Sequence, residues 1–185
     1  MAGRLKLITG PAAEPVTAAD LRAFGRISSD VLDATLTPLL AAARQLAEDY
    51  LNRALINQTY ELVYDDFPDL PFSLPMPPLS ALTSAKVTDT TGAVTTMDNS
   101  DFVVDSSGGM ASMNLKNGKA WPAVTPGYAG VAIRYVTGYG ATGASVPDSI
   151  KLAIKAAALS MYDNPSADFS AVFHALLDPE RVMPV

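Results

Sequence analysis

The stretch from Val146 to Tyr162 constrains the fold most, because it carries the clearest helical pattern in the chain. Pro147 suits a helix start, where no N–H partner is needed, and Asp148 follows in the first turn, where the helix dipole favours a carboxylate. Asp163-Asn164-Pro165 ends the pattern, since the residue before a proline is disfavoured in a helix. Apolar residues recur at three- and four-residue spacing: Ile150, Ile154, Ala157, Ala158 and Met161. The stretch therefore predicts a helix with one buried face.

Two further helices are predicted before this one. Thr17 followed by Asp20 is a capping pattern that predicts a short helix from Ala18 to about Arg26. Ser28-Ser29-Asp30 predicts the cap of a longer helix, which runs to about Asn52. Both helices have apolar residues at helical spacing, so we expect them to contribute to the same core.

Pro38 interrupts the longer helix, so we expect either a kink there or a start near Thr37. Within that helix Arg44 and Glu48 are four residues apart, which predicts a solvated ion pair. A final short helix is predicted over residues 167–177, and residues 178–185 form a tail.

The hydrophobic period changes to two in the middle of the chain, which predicts β-strands. Asp89-Thr90-Thr91-Gly92 and Asn117-Gly118 are turn sequences that predict two hairpins. Five prolines from Pro68 to Pro78 predict an extended strap with few hydrogen bonds. The predicted strands and hairpins are Ile56–Tyr64, Ala85–Thr96, Phe102–Val104, Met113–Ala120 and Val131–Thr137.

The element order is helices, then strands, then helices, without βαβ alternation. It predicts an α+β fold, in which a helical core of N-terminal and C-terminal helices carries an inserted antiparallel β-strand region. At 185 residues we expect a single domain. Its predicted parts are an N-terminal arm at 1–16, helices at 17–53, a β insertion at 54–140, C-terminal helices at 146–177 and the tail at 178–185.

The N-terminal arm alternates apolar and polar residues around Leu5, Leu7 and Ile8, before Gly10-Pro11 breaks the run. Such an arm gains little by lying on its own domain. We therefore expect it to add as an edge strand to a neighbouring molecule or to be an untethered terminus.

Composition excludes several classes of function. Hydrophobic residues make up 49% and charged residues 17% of the chain, a surplus of apolar surface that indicates subunit contacts. The chain has no cysteine, which excludes disulfides and thiolate metal sites, so the cytoplasm suffices for folding. The net charge is −6 and no stretch clusters Lys and Arg with aromatic residues, so tight nucleic-acid binding is not expected. We expect neither a signal peptide nor a membrane-spanning segment.

A glycine motif, Gly138-Tyr139-Gly140-Ala141-Thr142-Gly143, matches a dinucleotide fingerprint and lies between a predicted strand and a predicted helix. Asp163, about twenty residues on, stands where a ribose-binding acid would be expected. However, Asp163 follows a helix instead of a strand, and Val146-Pro147 separates the third glycine from the helix. We therefore expect no nucleotide site, no cofactor and no enzymatic activity.

Other candidate sites are equally weak. His174 is the only histidine, and no serine-nucleophile motif accompanies it, so we expect a partly buried or interfacial side chain. Two acidic groups, Asp65-Asp66 with Asp69 and Asp98-Asn99 with Asp101, lack the glycine and bidentate glutamate of a calcium loop. We expect no catalytic, cofactor-binding or metal-binding residues, and we expect the single Trp121 to be a packing anchor.

Six segments in a fixed order resemble the head-tail connector (adaptor) proteins of tailed bacteriophages and gene transfer agents. The resemblance extends from Leu7 to about Arg181, and it departs from the family pattern at Pro38 and at Pro165-Ser166, where the family usually has an Arg-Glu pair. The segments are Arg53–Leu62, Leu74–Leu79, Phe102–Asp105, Gly118–Pro122, Tyr135–Gly140 and Val146–Lys151.

The resemblance implies a virion structural protein, made in the cytoplasm of a host bacterium and located at the capsid-tail junction. It implies a homo-oligomeric ring, typically dodecameric, that binds the portal protein and receives the next neck or tail component, the stopper. Genomic DNA would pass non-specifically through its lumen, for which an acidic chain without basic clusters is suited. The alternatives are another neck or tail-completion (stopper) protein and, more remotely, a small nucleotide-binding enzyme that uses Gly138–Gly143.

Overall fold

The computed structural model describes residues 3–28, 31–164 and 170–183. Over these residues it contains four α-helices and eight β-strands, which confirms the predicted α+β class. The helices are α1 (Ala18–Gly25), α2 (Asp33–Leu51), α3 (Asp148–Asp163) and α4 (Ser170–Leu177). The strands are β1 (Arg4–Thr9), β2 (Gln58–Tyr64), β3 (Phe72–Leu74), β4 (Leu79–Asp89), β5 (Val94–Met97), β6 (Phe102–Asp105), β7 (Ala111–Leu115) and β8 (Pro126–Thr137).

The chain divides into two compact units. The strand unit comprises Met1–Gly10 and Asn57–Gly138, and the helical unit comprises Pro11–Ile56 and Tyr139–Val185. Each unit therefore takes residues from two separate parts of the chain.

Helix α3 lies at the centre of the helical unit, where it packs against α1, α2 and α4. Its apolar face is buried as predicted, and the helix starts at Asp148 with Pro147 as its N-cap. Alanines within that face keep it narrow, so a neighbouring helix can approach closely. The buried residues of α3 are Ile150, Ala153, Ile154, Ala157 and Ala158.

The caps of the first two helices differ from each other. In α1 the Thr17 hydroxyl accepts from the Asp20 N–H at 3.1 Å and the Asp20 carboxylate accepts from the Thr17 N–H at 3.0 Å, so the predicted capping box is confirmed. Hydrogen bonds from Thr17 also hold the pKa of Asp20 below its usual value. The N-cap of α2 is Leu32, whose side chain caps nothing, whereas the Ser29 and Asp30 of the predicted cap lie outside the described residues.

Pro38 lies within α2, so the alternative start near Thr37 is wrong. The missing N–H removes one backbone hydrogen bond near the helix start. Leu36 and Leu40 on either side of Pro38 are buried, and this burial stabilises the helix across the proline.

The predicted solvated pair of Arg44 and Glu48 is instead buried. The Glu48 side chain is 2% exposed and that of Arg44 10% exposed. Arg44 also donates to Glu14 at 2.9 Å, and Glu48 accepts from the Leu55 N–H at 2.9 Å. The prediction failed because Arg44 also meets Glu14, which lies 30 residues before it in the chain and is not part of α2.

The strand unit contains two antiparallel sheets, one of order β1-β2-β8-β4-β5 and one of order β3-β7-β6. Alternate residues of β2 point inward, and Tyr64 packs edge-on against Phe72 of β3 at 5.8 Å between ring centroids. The fully buried Tyr135 on β8 donates through its hydroxyl to the Pro75 carbonyl at 3.1 Å. Burial raises the pKa of Tyr135, so this phenol stays protonated.

Two strand predictions need correction. The proline strap includes the short strand β3, which pairs with β7. The Asn117-Gly118 turn forms, with Gly118 at a φ of 78°, but no strand returns from it. The predicted hairpin over Met113–Ala120 is wrong because β6 and β3 already occupy both edges of β7. The hairpin that turns at Asp89 is confirmed as β4 and β5, and the Asp89 carboxylate accepts from the Thr91 N–H at 2.8 Å.

The prediction for the N-terminal arm is also wrong, because its residues form β1 at the edge of the chain's own sheet. Leu5 pairs with Leu62 of β2. Arg4 donates to both carboxylate oxygens of Asp65, at 2.7 and 2.8 Å, and its guanidinium lies 5.1 Å from the centre of the Tyr128 ring. Backbone pairing and this ion pair stabilise β1, whereas its exposed side chains bury little apolar area.

We expect acid to release β1. The Arg4 side chain and the Ala129 N–H hold the pKa of Asp65 at about 2, below its ordinary value of 3.8. A carboxyl with a lowered folded-state pKa stabilises the fold fully above 3.8, and this contribution is lost as the pH falls through about 2. Hydrogen-exchange protection of the β1 amides should therefore fall over that interval.

The Asp65→Asn variant provides the control for this acid effect. Its β1 amides should be weakly protected already at neutral pH, with little further change on acidification. Equal protection in the variant and the unsubstituted chain would contradict the assignment.

Candidate interaction surfaces

The glycine motif lies in a setting that differs from a dinucleotide site. Strand β8, which ends before Gly138, pairs only with antiparallel neighbours, β2 and β4, among the described strands. Gly143 starts a short 3-10 turn, and α3 begins only at Asp148. A Cβ on Gly143 would lie 2.2 Å from the Pro15 carbonyl oxygen. The third glycine thus permits close contact between two backbone segments of the helical unit.

We expect the Gly143→Ala substitution to lower the free energy of unfolding by about 1–3 kcal/mol, because backbone atoms must move to relieve the overlap. A matched control is Gly140→Ala, whose Cβ would lie 2.8 Å from the Oγ and 3.1 Å from the Cβ of the exposed Ser145 and would meet no backbone atom. Urea unfolding of both variants measures the difference. Equal midpoints for the two variants would show that the contact with Pro15 does not require glycine.

Three carboxylates of the acidic groups that resemble calcium loops are engaged by protein partners. Asp65 pairs with Arg4, Asp98 accepts from the Ser100 N–H at 2.7 Å, and Asp101 pairs with Lys119 at 2.6 Å. In the part of the chain that the structure describes, no three His, Cys, Asp or Glu side chains come together in a way that could hold a metal ion. The Trp121 ring stacks on Phe67 at 5.2 Å between centroids, which confirms its packing role.

His174 lies in a groove between α2 and α4. Its ring stacks on Tyr50 at 4.2 Å between centroids, and the Arg181 guanidinium lies 4.6 Å from the centre of the Tyr50 ring. The Tyr50 hydroxyl donates to the Asp178 carboxylate, and this hydrogen bond is the main cause of the raised pKa of Tyr50. The groove has a volume of about 350 Å³ and is lined by Leu46, Tyr50, Ser170, Phe173 and His174.

We define the α4 surface as this groove with Asp49, which lies one helical turn after Leu46 on α2. Leu46 in this surface is 43% exposed. Helix α4 contains no Asp, Glu, Lys or Arg, so its outer face offers water few polar partners. Asp49 accepts from Gln45 at 2.9 Å, and no cation of the described residues lies within ion-pair distance of it. The uncharged run from 170 to 177 was the sequence signal that could have indicated this surface.

A second apolar surface lies on α1 and α3. We define the α1 surface as Phe24, Leu152 and Lys155, with the neighbouring Arg26. Phe24 is 41% and Leu152 is 38% exposed. The Lys155 ammonium lies 5.3 Å from the centre of the Phe24 ring, and the described residues place no carboxylate within 4.0 Å of it. This surface thus combines an aromatic side chain with a cation whose interactions with Asp20 and Asp148 are made beyond ion-pair distance.

The five-stranded sheet has two open edges, at β1 and β5. Cationic side chains, Arg4 and Lys6, lie on β1, and charge on an edge strand disfavours pairing with other chains. Strand β5 has only four residues, and short edge strands have the same effect. We therefore regard the two helical surfaces as the better candidates for contacts between molecules.

Helices of the described segments are all too short or too polar to cross a membrane. The model of the head completion protein family matches residues 14–170. No curated protein sequence matches the chain.

Chains in solved structures of gene transfer agent particles share the fold. A chain in the virion of a native gene transfer agent particle matches with a TM-score of 0.82 and 20% identity, over 98% of this chain and 96% of its own length. A chain in the neck of an empty gene transfer agent particle, computed with C6 symmetry, matches with a TM-score of 0.81 and 21% identity, over 98% and 97%. A chain in the neck of a native particle, computed with C12 symmetry, matches with a TM-score of 0.77 and 23% identity, over 98% and 97%.

Proposed function

We propose a structural role for this chain, which belongs to the head completion protein family. It is a component of the neck between the head and tail of a phage or gene transfer agent particle. The observation that carries the proposal is the family match over residues 14–170. The fold similarity supports the proposal, because the similar chains come from neck structures and the similarity covers 98% of this chain. The role needs no chemistry of the protein, only a stable fold and surfaces for assembly.

In the particle, the chain forms a closed ring of identical copies, a dodecamer. Support comes from the neck structures computed with C6 and C12 symmetry, which contain chains of this fold. The α4 and α1 surfaces also support it, since exposed apolar area of this kind is typical of subunit contacts. A net charge of −6 suits a ring whose lumen lets DNA pass without holding it.

The ring joins the portal on one side and the next neck or tail component, the stopper, on the other. In this arrangement the helical unit makes the contacts within the ring, and the tail and the strand unit reach the two partners. The start of the tail belongs to the helical unit, since Val182 is 7% exposed and its N–H donates to the Leu51 carbonyl at 3.0 Å. Met183 beyond it is 67% exposed and available to a partner.

The test is to delete the gene for this chain from the particle-producing genome and to image the particles by electron microscopy. We expect filled heads that lack tails, or heads that have lost their DNA, and we expect the plasmid-borne gene to restore complete particles. A labelled copy should lie directly beneath the portal. Complete particles without the chain would overturn the proposal, and a label on the tail side of the neck would assign it to the stopper position instead.

The tail needs a separate experiment. Portal capture by the full chain should be compared with capture by a chain that ends at Val182. Undiminished capture by the shortened chain would count against a portal contact of the tail.

A further inference from the structure

We infer that adjacent copies in the ring are joined by the α4 surface of one copy and the α1 surface of the next, with Phe24 seated in the groove beside His174. The inference rests on the proposed ring and names the contact that closes it. It concerns residues of the helical unit alone.

Ring closure requires two different surfaces. A cyclic assembly of more than two copies uses head-to-tail contacts, in which each subunit presents one surface to its left neighbour and another to its right neighbour. The α4 surface is formed by residues of α2 and α4, and the α1 surface by residues of α1 and α3. They share no residue, so one copy can use both at once.

The apolar parts of the two surfaces fit each other. The groove has a volume of about 350 Å³ and a lining in which Leu46, Tyr50 and Phe173 are apolar or aromatic. Phe24 is an exposed aromatic side chain of the kind that fills such a groove at the centre of an interface. Leu152 extends the contact, because it is 38% exposed. Burying these side chains removes apolar area from water, which favours association.

The charges are complementary as well. Among the described residues, Asp49 of the α4 surface has no cation within ion-pair distance, and Lys155 of the α1 surface has no carboxylate within that distance. Opposite charges at the rim of an apolar contact fix its orientation and disfavour other pairings. A contact of two α4 surfaces would leave both Asp49 carboxylates without a cation of the α1 surface, so the charges favour the head-to-tail arrangement over a symmetric dimer.

Cysteine cross-linking tests the contact directly, because the chain has no native cysteine. The full-length double variant Phe24→Cys/Leu46→Cys is oxidised in purified particles and in concentrated solution. We expect a ladder of disulfide-linked products that extends beyond the dimer to the closed ring. The single variants Phe24→Cys and Leu46→Cys are matched controls, since a chain with one thiol can form nothing larger than a dimer.

A second pair of variants tests the charges without altering the apolar contact. Lys155→Glu and Asp49→Lys should each reduce the association constant between copies roughly three- to tenfold, and the double variant should recover most of that loss. Lys86→Glu in the strand unit is the control for charge reversal alone and should leave association unchanged. Thermal unfolding of each variant establishes that it is folded.

The outcomes separate this inference from the proposed function. If the label lies in the neck ring but the double-cysteine variant gives no products beyond the dimer in particles, the contact is wrong and the neck role stands. If the label is absent from the neck, the proposed function fails. The contact is established if the cross-linked ladder forms and the double variant Lys155→Glu/Asp49→Lys recovers association. It is overturned if the losses of association in the two single variants simply add in the double variant.

Discussion

Replacement of Arg44 by methionine is expected to lower the free energy of unfolding by about 3–5 kcal/mol, because it leaves a buried carboxylate without its cation. The Glu48 side chain is 2% exposed, and the Arg44 guanidinium is in ion-pair contact with it. Methionine keeps much of the apolar stem of arginine, so the loss comes from charge and hydrogen bonding instead of packing. For a chain of this length, the melting temperature should fall by about 6–20 °C.

A matched control is Arg134→Met, which breaks a more exposed pair. The Arg134 side chain is 41% exposed, and its partner Glu61 is 18% exposed. Water screens such a pair, so the expected loss is below about 1 kcal/mol. Urea unfolding curves of both variants provide the comparison. If Arg44→Met and Arg134→Met lose the same free energy, the buried cluster does not hold Glu14 and the Leu55 backbone in place.

Partial rescue is expected when both charges are removed. The double variant Arg44→Met/Glu48→Met replaces the ion pair by apolar side chains, which a buried site tolerates better than a lone charge. Its stability should therefore lie above that of Arg44→Met, although the Leu55 N–H loses its acceptor.

The second large effect is expected for Ile154→Ala, which should lower the free energy of unfolding by about 2–5 kcal/mol through loss of burial and creation of a cavity. Ile154 is fully buried in the middle of α3, where the helices of the helical unit meet. The surrounding residues Ala157 and Ala158 have no side-chain freedom with which to fill the space. Urea unfolding measures the change.

Leu152→Ala on the same helix is the control. Leu152 is 38% exposed, so its truncation should lower the free energy of unfolding by less than about 1 kcal/mol. The same substitution should weaken association between copies, because Leu152 belongs to the α1 surface. A similar loss of stability in Ile154→Ala and Leu152→Ala would show that α3 is not the centre of the core.

The two stability predictions bear on the proposed role. A neck component must keep its surfaces in fixed positions while DNA passes and the tail attaches, so the helical unit has to resist local unfolding. The Arg44 cluster connects α2 to Glu14, 30 residues before Arg44, and to the backbone at Leu55, just after the helix. Variants that lose stability there should therefore also give fewer complete particles.

Family membership was predictable from the chain, and the match to the head completion family confirms the resemblance to head-tail connector proteins. Local structure was predictable as well. The face of α3, the Thr17 and Asp20 capping box and the Asp89 turn depend on residues within a few positions of each other. Their geometry is fixed by helical period, by a side chain that reaches its own backbone and by turn preferences. No distant partner is needed for any of them.

Pairing between distant segments was not predictable in the same way. Strand β1 lies on its own sheet because Arg4 meets Asp65, 61 residues away, and β7 has no hairpin partner because β3 and β6 already flank it. Arg44 is buried because Glu14 lies against it. Glycine is needed at position 143 because the Pro15 backbone lies against it. None of these contacts leaves a periodic signal in the sequence.

The sequence by itself thus determined the helices, most strands and the family, since these depend on neighbouring residues or on motifs in a fixed order. Only the tertiary structure decided which charges are buried, which edge the first strand occupies and which apolar side chains remain exposed. The physical reason is that burial and pairing energies depend on which segments meet in space, and one-dimensional spacing does not encode that choice.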